Sequence, residues 1–377
     1  SADSILPKPS IDLLFNSMAH SHAKNAIGII LSGTGSDGSM GMKSIKAEGG
    51  ITFVQDPQSA KYDSMPLASI NDHTVDIISE PAGMGVELAD VYSFLDGTSD
   101  IKPTQAPQSD LMMILGLLKQ NTGVDFSNYK TNTINRRIQR RMLALRLNKI
   151  PDYVKHLQED IEESRFLYKD LLIGVTSFFR DADAFEKLKI ELAQRFKNKE
   201  DIIRIWVVGC STGEEAYSIA MLIDELFEGQ CENVNIFATD LDEDAISIAR
   251  AGTYSASSVE NLSNLRIQTY FNQEKETYQV KKRIRNMVVF SVHDVTRDPP
   301  FSKIDLVLCR NLLIYFNNQL QMKVLNALTF ALRNEGLLFL GSSESLGDFE
   351  GNYKTLSREN KIFKKTFTTN PLDTTLN

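Results

Sequence analysis

The sequence predicts an α/β protein built on a Rossmann-like, mostly parallel sheet, with an all-α region before it, a small β insertion within it, and a partial α/β segment at its N-terminal end. Three observations carry this expectation. From about residue 202, apolar strand-like runs alternate with amphipathic helical segments, the pattern of a parallel sheet covered by helices. Between about 109 and 197 only helical periodicity is present. The stretch Asp96–Asp110 is polar, holds Pro103 and Pro107 and lacks any apolar period, so it reads as a linker. The expected division is residues 1–95, a linker at 96–108, an all-α domain at 109–197, an α/β domain at 198–367 with an insertion near 255–286, and a tail at 368–377.

Each element follows in order. Ile11, Leu14, Phe15 and Met18 have helical spacing and lead to the strand-like run Ala26–Leu31. A glycine-rich turn, a helix ending at Gly49-Gly50 and the strand Ile51–Val54 complete one βαβ unit. In the all-α region the helix near 131–147 repeats Ile134, Ile138, Met142 and Leu145 at spacings of three and four, which gives a buried stripe. Arg136, Arg137, Arg140 and Arg141 fall on its other faces, either as a solvated surface or as a docking face for an acidic partner. Further on, Ile202–Val208 is a strand, Glu214–Leu226 an amphipathic helix, and Val234–Ala238 a strand followed by a helix from Asp242. Strands follow at Met287–Val292, Ile304–Leu308 and Gly336–Leu340. The turn-rich, charged interval 255–286 breaks the alternation and suggests a small substructure of short strands.

Composition narrows the function. A chain of 377 residues is too long for one ordinary core, and 42% hydrophobic with 24% charged residues is a globular balance. No apolar run approaches the ~18 residues of a membrane span, and Ser1-Ala2-Asp3-Ser4 has no signal-peptide pattern, so no direct membrane insertion is expected. Cys210, Cys231 and Cys309 lie far apart without a CxxC pair, which argues for a reducing, cytoplasmic setting and against a disulfide frame or a metal site. A net charge of −8 is a poor match to nucleic acid.

Two glycine-rich loops compete for a ligand. Gly33-Thr-Gly35-Ser-Asp-Gly38 is a formal G-x-G-x-x-G between strand and helix, with Asp56 near the end of the next strand, which suggests a dinucleotide. Fewer than 100 residues surround it, too few for two mononucleotide-binding halves. The second loop, Gly209-Cys-Ser-Thr-Gly213, opens a helix that starts with Glu214 and Glu215. Carboxylates there would repel a pyrophosphate and suit a ligand carrying an ammonium and a sulfonium, although acids in a first turn also serve as dipole caps. Asp240 ends the next strand, where an acid can accept from both hydroxyls of a ribose. Arg310, Asn311 and Tyr315 follow the strand at Ile304–Leu308, and ligands of open parallel sheets bind beyond such strand ends. Thr176-Ser-Phe-Phe-Arg180 stands where the helical region meets the α/β region, as a hinge or as part of a site.

Taken together, Thr176–Arg180, Trp206–Tyr217, Ala238–Asp242 and Leu308–Phe316 resemble the CheR family of chemotaxis receptor methyltransferases from about residue 109 to 367. The resemblance implies a class I methyltransferase fold with an all-α N-terminal domain and a β-subdomain, S-adenosylmethionine as cofactor with S-adenosylhomocysteine as product, and the cytoplasmic domain of a methyl-accepting chemoreceptor as partner. It implies that Thr176, Arg180, Glu215, Asp240, Asp294, Val295, Asn311 and Leu312 line the cofactor, along with the loop residues Gly209, Gly213 and Glu214. It places Arg180 and Tyr315 beside the transferring methyl group, and Asp240 counts with them as a catalytic candidate. Gly174 and Asp294 depart from the asparagines that family members often carry, and each departure could weaken a cofactor hydrogen bond.

The N-terminal segment is similar to the C-terminal part of the CheB receptor methylesterases through Ser32–Gly41, Val54–Pro57 and Met65-Pro66. Asp37 matches the acid of that family's Ser-His-Asp triad. His20 and His22 stand two apart on a helix, and no serine before Ser32 has a nucleophile-loop context, so an incomplete, inactive esterase site is expected. The reading from a different class is a module that holds the cofactor or a receptor without turnover.

Overall fold

The computed structural model describes residues 10–71, 74–95, 106–172, 174–196, 201–229, 233–274 and 277–366. The expected linker up to residue 105, Cys231 and the tail lie outside the described residues. The chain forms two compact units, residues 1–175 and 176–377.

In the first unit, α1 (Ile11–His22), β1 (Ile27–Ile30), α2 (Ser39–Ala47), β2 (Ile51–Gln55), α3 (Ser64–Asn71), β3 (Ile77–Ser79) and α4 (Pro81–Leu95) build a parallel sheet of order β1-β2-β3. The sequence does not announce β3, because three residues are too few to show a period. β2 is buried along its length and serves two cores. Val54 packs with Phe15, Ile30, Met42 and Ile45, while Ile51 and Phe53 pack with Met84, Val91 and Leu143. Leu143 belongs to the helical region, α5 (Gln108–Thr122), α6 (Thr131–Ala144), α7 (Ile150–Glu159) and α8 (Ile161–Leu172). A shared core therefore joins two regions that the sequence separates with a linker.

The arginine helix, α6, corrects the sequence reading. Ile134, Ile138 and Met142 are buried as the stripe predicts, yet Arg137, Arg140 and Arg141 are buried as well. Arg137 donates to the carbonyls of Lys46 and Ala47 at 2.5 and 2.9 Å, and Arg140 donates to Lys46 at 2.6 Å. These are the last carbonyls of α2, which the helix itself leaves unsatisfied. Arg140 also pairs with Asp170 at 2.8 Å and Asp76 at 3.4 Å, and the buried Lys46 ammonium pairs with the same two acids. Arg141 holds Glu163 with two hydrogen bonds, and the Tyr153 hydroxyl donates to Glu163 at 2.8 Å. Three of the four arginines expected to dock a receptor are thus engaged within the unit; Arg136 is exposed. Burial by itself would raise the Asp170 carboxyl, but Arg140, Lys46 and Arg141 overcome it and hold the group well below the usual carboxylate range.

The second unit contains α9 (Ala182–Phe196), β4 (Ile203–Val208), α10 (Glu214–Leu226), β5 (Val234–Asp240), α11 (Glu243–Ala251), β6 (Thr253–Ser255), α12 (Ala256–Val259), α13 (Asn264–Tyr270), β7 (Phe271–Glu274), β8 (Thr277–Val280) and α14 (Lys282–Arg285). It continues with β9 (Val288–Val292), β10 (Ile304–Cys309), α15 (Asn318–Ala331), β11 (Leu332–Leu340), β12 (Tyr353–Ser357) and β13 (Ile362–Lys365). The main sheet has the order β12-β13-β11-β10-β4-β5-β9. Its strands from β11 to β9 run parallel, whereas β13 is antiparallel to β11 and β12 to β13. From β4 the chain builds first toward β9 and then toward β11, so the topological switch point lies between β4 and β10.

The expected sheet stops at Gly336–Leu340, and the structure adds the terminal hairpin β12–β13. It also moves α9 out of the all-α region. Phe185, Leu188 and Leu192 pack with Ile205, Val207 and Phe339 of the sheet, so their apolar face has its partner in the second unit. The expected insertion is a three-stranded antiparallel sheet of order β6-β8-β7.

Candidate cofactor site

The site is assembled beyond the carboxyl ends of β4, β5, β9 and β10. After β4 the chain turns sharply, with Gly209 at φ +70° and Gly213 at φ +97°, and α10 begins at Glu214. Glycine is required at Gly213 twice over. The positive φ disfavours a side chain, and a Cβ there would lie 2.9 Å from the Ala249 Cβ. The buried Tyr254 hydroxyl, from β6 of the insertion, donates to the Thr212 carbonyl at 2.7 Å and holds the loop from above.

Asp240 fastens the loop to the end of β5. One carboxylate oxygen accepts from the Ser211 amide at 2.7 Å and the other from the Asp242 amide at 2.9 Å. A carboxylate has about four lone-pair positions, so Asp240 can accept from a ribose hydroxyl beyond these amides and that of Leu241. Burial pushes the Asp240 carboxyl above its ordinary range, against the Asp242 and Ser211 amides. The amide of His293 donates to the Asp240 carbonyl at 2.9 Å and brings the turn of Asp294 and Val295 to the same edge. Asp294 spends one oxygen on its own turn, accepting from the Thr296 amide and hydroxyl at 2.8 and 2.6 Å.

The two glutamates of α10 divide. Glu214 is 3% exposed and accepts from the Thr212 hydroxyl with both oxygens, at 2.9 and 2.7 Å. It secures its own loop, at a position where the resemblance expects a cofactor ligand. Glu215 accepts from Arg310 at 2.8 Å, and the other terminal nitrogen of Arg310 donates to Asp181 at 2.6 Å. Arg310 is thus a buried bridge rather than a ligand-facing cation. Burial pushes the Glu215 carboxyl up, and Arg310 and Arg180 pull it down.

Arg180 stands between two residues at positive φ, Phe179 at 49° and Asp181 at 61°, conformations that cost energy away from glycine. The Phe179 amide donates to the Ser218 hydroxyl on α10 at 2.8 Å, which latches the segment from Thr176 to Arg180 against the helix that carries Glu215. On the β10 side, Asn311 is at φ +59°, Leu312 follows, and Tyr315 is half-buried in the 3-10 turn Leu313–Tyr315. A Cβ on Gly209 would reach 3.2 Å from the Leu312 side chain, so the loops after β4 and β10 approach closely at that point.

The structure therefore gathers Arg180, Glu215, Asp240, Asp294, Val295, Asn311, Leu312 and Tyr315 along one edge, with Thr176 leading into it. The donor set suits S-adenosylmethionine: carboxylates for its ammonium and ribose, and glycine turns that let its body approach the backbone. Sequence reasoning did not find Ser218, Tyr254, Asp181 or Glu344, the last of which accepts from the amides of Asn311, Leu312 and Leu313. Only Asp181 had a local signal, its place next to Arg180.

Asp37, the expected triad remnant, holds a helix start. Its two oxygens accept from the amides of Ile11 and Asp12 at 2.9 and 3.0 Å. Among the described residues, no helix is long and apolar enough to cross a membrane and no group of acids, histidines and cysteines could hold a metal ion.

The strand order β12-β13-β11-β10-β4-β5-β9 with β13 antiparallel to both its neighbours, a glycine turn after β4 and an acid closing β5 is the fold of a class I S-adenosylmethionine-dependent methyltransferase. Residues 174–362 match the family model of the CheR methyltransferase SAM binding domain, 109–172 the CheR methyltransferase all-alpha domain, and 3–88 CheB methylesterase. The chain belongs to the CheR methyltransferase family, with a CheB-like segment ahead of it. It is 33% identical to an uncharacterised 104.1 kDa protein of Rhodobacter capsulatus over 94% of this chain, and spans 40% of that protein's length. It is 32% identical to a putative methyltransferase Cher3 of Pseudomonas putida, covering 68% of this chain and 96% of the relative. It is 28% identical to the chemotaxis protein methyltransferase of Escherichia coli, covering 63% and 84%.

Proposed function

We propose that this chain transfers the methyl group of S-adenosylmethionine to glutamate side chains on the cytoplasmic domain of chemoreceptors, acting in the cytoplasm. The observation that carries the reading is the pairing of an acidic cradle, Glu215 and Asp240, with Arg180 beside it: acids for a cationic cofactor, and a guanidinium for an acceptor carboxylate. The relatives named as chemotaxis protein methyltransferases support the same acceptor. S-adenosylmethionine, when bound, supplies a methyl carbon activated by its sulfonium.

A glutamate of ordinary pKa, about 4.3, is ionised at neutral pH, so its oxygen can take the methyl carbon as the carbon–sulfur bond breaks, without a general base. The protein's task is in-line positioning, which can supply roughly 7–11 kcal/mol. Arg180 orients the acceptor carboxylate and Tyr315 sits at the methyl group. A tight Arg180 contact would hold the acceptor carboxylate in its ground state, so a loose or shared contact is expected.

Transfer of labelled methyl to a purified receptor cytoplasmic domain tests the proposal. A base-labile product is expected; no product with cofactor binding intact would instead identify a binding module. The CheB-like segment is expected to lack esterase activity, since no serine or histidine in a triad context accompanies Asp37. Methanol release from methylated receptor, abolished by Asp37→Ala, would reverse that assignment.

A further inference from the structure

Glu344 lies four residues beyond β11, is 4% exposed, and no sequence motif singled it out. Its carboxylate accepts four backbone amides. One oxygen takes Gly341 at 2.7 Å and Asn311 at 3.1 Å; the other takes Leu312 at 2.9 Å and Leu313 at 2.8 Å. Four donors fill the acceptor positions of an ionised carboxylate. The three consecutive amides converge because Asn311 is left-handed, at φ +59°, and Leu312 is right-handed, at φ −109° and ψ −46°. That alternation makes a backbone nest, a concavity that attracts an anion, and here the anion is the chain's own. Gly341 completes the clasp, since a Cβ there would fall 2.8 Å from the Glu344 Oε2 and 2.9 Å from the Asn311 amide nitrogen.

We infer that Glu344 is a positioning residue for methyl transfer, holding Asn311 and Leu312 in place for the cofactor and, through the 3-10 turn that starts at Leu313, Tyr315 at the methyl group. The inference rests on the cofactor-site reading above. A carboxylate is required rather than an amide. Glutamine would turn an NH2 group toward two of the four N–H donors, and without those acceptors Asn311 has no reason to stay at positive φ.

The test is Glu344→Gln in the full chain. S-adenosylhomocysteine affinity is read by calorimetry, kcat at saturating cofactor with receptor domain, and amide exchange at 311–313 in ligand-free protein. The expected result is affinity weakened at least tenfold, kcat lowered at least tenfold at a temperature where the variant is fully folded, and faster exchange at those amides. A merely structural role would cost stability and leave kcat of the folded, saturated enzyme unchanged. A folded variant with wild-type affinity and kcat overturns the inference. Should Glu344→Gln fail to fold, Gly341→Ala displaces the clasp and keeps the charge; the same losses are expected, and wild-type behaviour overturns the inference. Asp240→Ala measured alongside separates the two failures. Affinity lost there but kept in the Glu344 variant overturns the positioning role alone, and affinity kept in both overturns the cofactor-site reading as well.

Discussion

The chain buries two clusters of charge, and they differ in kind. In the first unit, Lys46, Arg137, Arg140 and Arg141 face Asp76, Asp170 and Glu163, and the cations left over are taken by the carbonyls at the end of α2. In the second, Glu214, Glu215, Asp240 and Glu344 stand with Arg310 as their buried cation and lean on backbone amides and a hydroxyl for the rest. The consequence appears in the acids themselves. Asp170 is held below the usual range, whereas Asp240, Glu215 and Glu344 are pushed above it by burial. A compensated cluster locks a fold. In the second cluster the Glu344 acceptor positions are filled by amides and Glu214 holds its own loop, so Glu215 and Asp240 are the acids whose raised pKa values mark a candidate site.

The comparison can be broken at four points. The largest effect should come from Arg140→Ala, which leaves Asp170 and Asp76 buried with Lys46 as their remaining ion-pair partner. Removing one partner of a buried ion pair costs about 3–5 kcal/mol, so the denaturant midpoint of the first unit should fall sharply. A shift within error would mean that the cluster contributes little to the fold.

Asp240→Ala comes next. A lost charged acceptor is worth about 1.5–3 kcal/mol, or about tenfold to a hundredfold in S-adenosylhomocysteine affinity by calorimetry. Unchanged affinity in a folded variant would move the ribose site elsewhere.

Acidification should then separate the clusters without mutation. Asp240 and Glu215 bind cations and hydroxyl donors as carboxylates, and their folded pKa values are raised, so ligand affinity should fall as pH drops while still above the ordinary carboxylate values of about 4. Over the same range their protonation favours the ligand-free fold, because the folded state binds the proton more tightly than the unfolded one. Asp170 has the opposite sign: its contribution is complete above its unfolded pKa and is lost only as pH falls toward its depressed folded value. A titration in which affinity and first-unit stability decline together would erase the distinction.

The smallest effect belongs to Arg136→Ala. This exposed side chain should leave stability unchanged and raise the apparent KM for receptor by a factor of a few at most, visible at low salt, in line with the ~0–1 kcal/mol of exposed pairs. Arg137→Ala should instead lower stability, since its hydrogen bonds close the end of α2.

Much of the second unit was written locally. Helix α10 runs from Glu214 to Leu226 as the apolar period predicts, and Asp240 ends its strand, because a glycine turn, a helix start and a strand end each occupy a few consecutive residues. The motifs at Thr176–Arg180 and Leu308–Phe316 are contiguous for the same reason, so they could be read before the sheet brought them to one edge. What the sequence could not supply depends on partners distant along the chain. β13 exists because Leu337, Leu338 and Phe339 offer it an edge to pair with. Glu344 matters because amides more than thirty residues earlier converge on it. The arginines of α6 looked like surface because periodicity reveals only an apolar stripe. A face lined with charge is buried only if another element supplies acids and carbonyls in the right geometry, and the tertiary structure alone brought the end of α2 and Asp170 there.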